Sequence, residues 1–276
     1  MLWRLNGEGC ASYAMPTEPV KLKGLAKKAF DFCGLRISRR GSDVDILNLV
    51  EASPFDLQII QGIRPYTMTS PARIWALVNA MQYISANQIE GDICECGVWR
   101  GGSVMAAALK LKAARDFRTL WLYDTFAGMP EPIELDKASA TGVPAHAEWT
   151  MYRRGSAASD WCFASLDDVR RNLESTGYPM ERVRFVAGKV EETLSVPANL
   201  PDAIALLRLD TDWYESTKAE LEALYDRLLP GGVLIIDDYG YWAGQRRAVD
   251  EFFASRPRKI FLVRIDSIGR VGVKIG

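Results

Sequence analysis

From residue 92 to its end the chain alternates strand-like and helix-like segments, and this alternation restricts the fold more than any other feature. "DICECGV" (92–98) reads as a strand and "GSVMAAALKLKAAR" (102–115) as a helix. "TLWLYDT" (119–125) is a strand, and "SLDDVRRNLEST" (165–176) is a helix with Ser165 and Asp168 forming a capping box. "VRFVAGKV" (183–190) and "AIALLRLD" (203–210) follow as strands, then the helix "YESTKAELEALYDRL" (214–228), which stops before Pro230 and Gly231. "GVLIIDD" (232–238) is an apolar strand and "QRRAVDEFFAS" (245–255) a helix. Strands alternating with helices make a parallel sheet, and continuous apolar runs mark strands covered on both faces.

The chain ends differently. "KIFLVRID" (259–266) and "RVGVKI" (270–275), joined by Ser267 to Gly269, form a hairpin. Dinucleotide-binding folds do not usually end this way, whereas class I methyltransferases do. The expectation is therefore an α/β, Rossmann-like doubly wound sheet closed by a terminal antiparallel β-hairpin. Residues 65–276 form this domain. Residues 1–64 form a weakly patterned helical extension, with a basic amphipathic segment "KLKGLAKKAFDF" (21–32), suited to substrate and oligomer contacts. "PARIWALVNAMQYISAN" (71–87) is a helix with Ser70 as cap and Pro71 in its first turn. Residues 129–162 show little periodicity and are too long for an ordinary connection. They follow the second strand at the carboxyl edge of the sheet, where such sheets bind ligands, and read as a lid.

Composition excludes some classes of function. A net charge of −1 leaves no basic stripe for nucleic acid. No apolar run approaches a membrane span, and Arg4, Asn6 and Glu8 interrupt the start, which therefore lacks the core of a signal peptide. A cytoplasmic protein is the expectation. The five cysteines make an odd count without a CxxC pair, which argues against disulfides or a zinc ribbon. Cys94 and Cys96 share a strand face and read as small buried residues.

Acids cluster at the strand ends: Glu95, Asp124, Asp210 and the pair Asp237–Asp238. After the first strand, "ECGVWRGGS" spaces its glycines as G-x-x-x-G-G, a poor dinucleotide fingerprint, and has no P-loop lysine. Glu95 would repel a pyrophosphate but pair with an ammonium, which favours the amino-acid tail of S-adenosylmethionine. A tight turn holding no ligand is the competing reading. Asp124 suits the hydroxyls of an adenosine ribose, in a nicotinamide cofactor as much as in S-adenosylmethionine. Three convergent carboxylates, Asp210, Asp237 and Asp238, repel unless a hard cation such as Mg²⁺ joins them; otherwise they are helix caps and strand exits. Asp212 and Glu215 read as helix-capping acids. His146, the single histidine, lies in the lid as an alternative general base.

"ECGVWRGGS", "YDTFAGMPEP", "RLDTDWYEST" and "IIDDYGYW" followed by "AVDEFF" together resemble the macrocin-type sugar O-methyltransferases, the TylF family, from about Pro65 to Phe253. The resemblance implies S-adenosylmethionine-dependent, Mg²⁺-assisted methylation of a hydroxyl on a sugar of a natural product or glycoside. It places the methionine tail on Glu95, Gly97, Val98, Trp99 and Ser103, and the ribose on Asp124, Thr125 and Phe126. Met68 and Thr69 would lie over the cofactor, with Ser165, Lys189 and Val190 near the adenine. Asp210, Asp237 and Asp238 would hold the metal, and Asp210 would double as general base. A homodimer or larger assembly is also implied. Two rivals use the same crevice: a nicotinamide-dependent reductase, and a non-catalytic carbohydrate-binding or scaffold protein.

Overall fold

The computed structural model describes residues 49–154 and 158–276. The basic segment 21–32 and most of the expected N-terminal extension lie outside these residues. Within them, helix α1 (Pro54–Gly62) precedes α2 (Pro71–Ala86). Ser53 caps α1 in a full capping box with Asp56, and Ser70 caps α2 by accepting from the Arg73 N–H.

A seven-stranded sheet follows. Its strands are β1 (Asp92–Cys96), β2 (Leu120–Asp124), β5 (Val183–Ala187), β6 (Ile204–Leu209), β7 (Leu228–Ile236), β8 (Val263–Arg264) and β9 (Arg270–Val273). The spatial order is β5-β2-β1-β6-β7-β9-β8. The first five are parallel, and β9 and β8 run antiparallel to their neighbours, as the terminal hairpin predicts. β7 begins earlier than the apolar run suggests, taking in Pro230 and Gly231.

The two faces bury different residues. Ile93, Leu122, Leu206, Val233 and Ile235 pack toward α1, α2 and α3 (Gly102–Ala114). Cys94, Cys96, Leu207, Leu209, Leu234 and Ile236 pack toward α7 (Tyr214–Leu224) and α8 (Ala243–Ala254). Period-2 alternation on strands covered on both sides produces these two cores. Cys94 and Cys96 lie buried on the α7/α8 face, as small apolar residues would.

Three local expectations change. The stretch 129–162 contains a helix, α4 (Ala145–Tyr152), and a small hairpin of β3 (Arg153–Arg154) with β4 (Ala158–Ser159). α4 buries only Ala145 and Trp149, too few apolar residues to print a period. On α5 (Leu166–Glu174), Ser165 accepts from the Asp168 N–H, but the Asp168 carboxylate turns away to Arg100 and Asn172, so only half of the capping box forms. Asp212 does not cap α7. That helix takes its cap from the lid, where Asp136 Oδ1 accepts from the Tyr214 N–H at 2.8 Å. α6 (Val190–Thr193) completes the helices among the described residues.

Candidate active site

The carboxyl ends of β1, β2, β6 and β7 open into one cavity of about 390 Å³. Its first wall is the turn between β1 and α3. Gly97 has φ +81°, and a Cβ there would stand 2.1 Å from the Asp210 carbonyl oxygen. Gly101 takes the left-handed conformation as N-cap of α3. Trp99, between them, also has positive φ, a conformation that costs a non-glycine residue energy and persists only where its surroundings impose it. Asp124 supplies that imposition. Its Oδ2 accepts from the Val98 N–H at 2.7 Å and the Trp99 N–H at 3.0 Å, and its Oδ1 from the Phe126 N–H at 2.8 Å. Burial pushes the Asp124 carboxyl up, and the three amides pull it back.

The opposite wall carries the acids. Asp210, Asp237 and Asp238 place carboxylate oxygens within 4.8 Å of one another. Beneath them Arg208 is 2% exposed and its Nη1 pairs with Glu95 at 2.6 Å and with Asp210 at 2.8 Å. Its Nη2 lies 2.8 Å from Asp237 Oδ1, off the direction of a hydrogen bond, and donates to Thr69 Oγ1 at 3.0 Å. Arg73 pairs with the other Asp237 oxygen, donates to the Asp237 carbonyl at 3.2 Å, and reaches Asp266 in the terminal hairpin at 3.3 Å. Glu95 and Arg208 are register partners on adjacent strands, pointing to the α2/α3 face. Burial lifts Glu95 to about 7 against the pull of Arg208. Burial, followed by the repulsion of neighbouring aspartates, holds Asp210 and Asp238 well above the ordinary carboxylate range despite the arginines. Acids in this state gain from a cation, and an all-oxygen donor set suits Mg²⁺. The residues present fit that ion.

The stretch 129–162 borders the third side with Met129, Pro130, Glu148, Trp161 and Cys162. It is stitched down by indole donors: Trp149 Nε1 to the Met129 carbonyl and Trp213 Nε1 to the Pro130 carbonyl, each at 3.0 Å. Trp161, Trp213 and Trp242 pack edge to face, with Trp213 and Trp242 5.0 Å apart.

Met68, Thr69, Gly97, Val98, Trp99, Ser103, Asp124, Thr125, Lys189, Val190, Asp210, Asp237 and Asp238 all line the cavity. Glu95 lies below it, engaged by Arg208. Phe126 packs against Phe185, and Ser165 is spent as the cap of α5. His146 is 56% exposed and sits beside Glu131, off the cavity wall. The sequence reading missed Asp212, which faces the cavity with φ +74°. Burial and then Asp210 push its carboxyl up to about 8. Arg208, Arg73 and Asp136 were missed as well. One signal was available: Arg208 interrupts an otherwise apolar strand, and an arginine placed there needs an acid beside it.

A family profile described as Macrocin-O-methyltransferase (TylF) matches residues 62–272. The demethyldecarbamoylnovobiocin O-methyltransferase of Streptomyces niveus is 34% identical over 206 residues, covering 74% of each chain. The mycinamicin III 3''-O-methyltransferase of Micromonospora griseorubida is 35% identical over 210 residues, covering 75% of this chain and 77% of the relative. The solved structure of the O-methyltransferase NovP superposes with a TM-score of 0.64 at 31% identity, covering 76% of this chain and 83% of its own. The fold is thus that of class I O-methyltransferases, and the glycine turn and acidic strand ends lie inside the matched span: the chain belongs to the macrocin O-methyltransferase (TylF) family of S-adenosylmethionine-dependent enzymes.

Proposed function

We propose that this chain transfers the methyl group of S-adenosylmethionine to a hydroxyl on the sugar of a natural-product glycoside, with Mg²⁺ held by Asp210, Asp237 and Asp238. The observation that carries the reading is the meeting, in one cavity, of a glycine turn and three convergent carboxylates. The relatives named above are O-methyltransferases of demethyldecarbamoylnovobiocin and mycinamicin III, and another, 36% identical, is named for a rhamnosyl tetracenomycin, which supports a glycoside acceptor.

In this reading Gly97, Val98, Trp99 and Ser103 receive the methionine end of the donor, and the missing side chain of Gly97 lets the turn pack against the Asp210 carbonyl. Asp124 and Thr125 stand beside its ribose, with Lys189 and Val190 toward the adenine and Met68 and Thr69 covering it. Glu95 acts from below, by fixing Arg208, rather than by touching the donor. When bound, Mg²⁺ would lower the pKa of the acceptor hydroxyl. The proton then passes to an aspartate at the cavity wall. Asp210 and Asp212 both face the cavity, but Asp210 is engaged by Arg208 at 2.8 Å and belongs to the acidic triplet that would hold the metal. Asp212 has no arginine partner among the described residues, so it is the better acceptor. The lid excludes water and holds the hydroxyl in line with the transferring methyl. The enzyme acts in the cytoplasm as a homodimer or larger assembly.

The test is incubation with S-adenosylmethionine and a panel of desmethyl glycosides, with products read by mass. Gain of one methyl, abolished by a chelator and restored by Mg²⁺, is expected. Turnover unaffected by the chelator would overturn the metal assignment. Binding of a reduced nicotinamide cofactor in place of S-adenosylhomocysteine would overturn the donor.

A further inference from the structure

Two fully buried polar side chains lie behind the acidic wall, and neither takes part in the chemistry above. Glu220 on α7 is 0% exposed; its Oε1 accepts from Thr211 Oγ1 at 2.8 Å, and its Oε2 has no partner. Gln245 on α8 is 0% exposed; its Oε1 accepts from the Asp238 N–H at 2.9 Å, and its Nε2 has no partner. Each therefore binds one of the two loops that carry the acids. Thr211 stands between Asp210 and Asp212, and Asp238 is itself in the acidic triplet.

An unpartnered buried polar atom costs roughly 1–3 kcal/mol, and a leucine at either site would avoid the penalty. A side chain that keeps such an atom while its other arm grips a loop is retained for that grip. The helices α7 and α8 pack on the far face of the sheet, so neither residue reaches the cavity. Burial holds the Glu220 carboxyl well above the ordinary carboxylate range.

We infer that Glu220 and Gln245 are positioning residues: from behind the sheet they fix the loops after β6 and β7 so that Asp210, Asp212 and Asp238 converge on one point. The inference rests on the proposal that Asp210, Asp237 and Asp238 hold a divalent cation. Fixing metal-binding groups from behind is worth about 10- to 100-fold in metal affinity.

The test is Mn²⁺ binding to the full chain, read by electron paramagnetic resonance, with S-adenosylhomocysteine affinity measured in parallel by calorimetry. Glu220→Leu and Gln245→Leu are each expected to weaken Mn²⁺ binding by about tenfold or more while S-adenosylhomocysteine binds as in the wild type. Glu220→Gln keeps an acceptor oxygen for Thr211 and is expected to bind Mn²⁺ as the wild type does. A merely structural role would lower the melting temperature and leave Mn²⁺ affinity unchanged, which would overturn the inference. So would a Glu220→Gln variant as weak as Glu220→Leu. If a leucine variant does not fold, Thr211→Val removes the Glu220 bond from the cavity side and is expected to show the same loss. Wild-type protein that binds S-adenosylhomocysteine but no Mn²⁺ would overturn the metal reading, and this inference with it.

Discussion

The two ends of the cavity are built from different materials. At the Gly97–Ser103 end the backbone does the shaping: positive φ angles and three amides gathered on one carboxylate. At the Asp210–Asp238 end, side-chain charge does it. Three acids there, Glu95, Asp210 and Asp237, are paired with two buried guanidiniums, and Asp238 stands beside them. The first end is fixed by geometry, and changes to it should act on donor binding. The second is balanced electrostatically, and changes to it should act on the metal, the proton and the stability of the sheet. Variants at the two ends probe the two sides of that division.

The largest effect is expected from Asp212→Asn. Loss of a general base costs about 10²- to 10⁴-fold in kcat, with S-adenosylhomocysteine affinity unchanged. Turnover near the wild-type rate would return the base to Asp210. Next comes Arg208→Met, which strands three carboxylates beside a buried apolar chain. Breaking a buried ion pair costs about 3–5 kcal/mol, visible as a large fall in denaturation midpoint. An unchanged midpoint would mean that the guanidinium is not the keystone of the acidic end.

Gly97→Ala probes the opposite end. Left-handed backbone costs an alanine about 1–2 kcal/mol, and the new methyl also meets the Asp210 carbonyl. Weaker S-adenosylhomocysteine binding is the expected result, with a smaller loss of Mn²⁺ affinity because the methyl crowds the backbone of Asp210. Equal loss of both would show that the ends are not separable.

The smallest effect lies outside the cavity. Burial raises the Asp56 carboxyl, but the Lys110 and Ser53 hydrogen bonds outweigh it, so the folded pKa is lowered. A depressed carboxylate stabilises above its unfolded pKa, about 3.9, and this contribution is lost as pH falls through the lower folded value. Asp56→Asn should therefore cost about 1 kcal/mol at neutral pH and flatten the stability profile below about pH 4. A profile identical to that of the wild type would remove Asp56 from the account of acid unfolding.

The same division explains what the sequence made legible. The parallel strands, the terminal hairpin, helices α2, α3, α7 and α8 and the glycine turn rest on local period and spacing, and local pattern reports them directly. The acidic end depends on pairs far apart in the chain. Arg73 meets Asp237 and Arg208 meets Glu95 only through the sheet, so no short window contains both partners. Glu95, expected as a donor contact, lies below the cavity with its Oε1 on Arg208. Asp212 was read as a cap because acids before helices usually are, whereas the cap of α7 comes from Asp136 in the lid. The lid helix was missed for a plainer reason. Its register is set by Trp149 and by indole bonds to other segments, not by a repeating apolar face.

The most direct measurement is a crystal structure with S-adenosylhomocysteine and Mn²⁺, using the anomalous signal of the metal. The expected result is a single strong peak bounded by Asp210, Asp237 and Asp238, with the nucleoside lying along Gly97 and Asp124. A map with S-adenosylhomocysteine in place but no peak among those three carboxylates would contradict the division of the cavity into a donor end and a metal end.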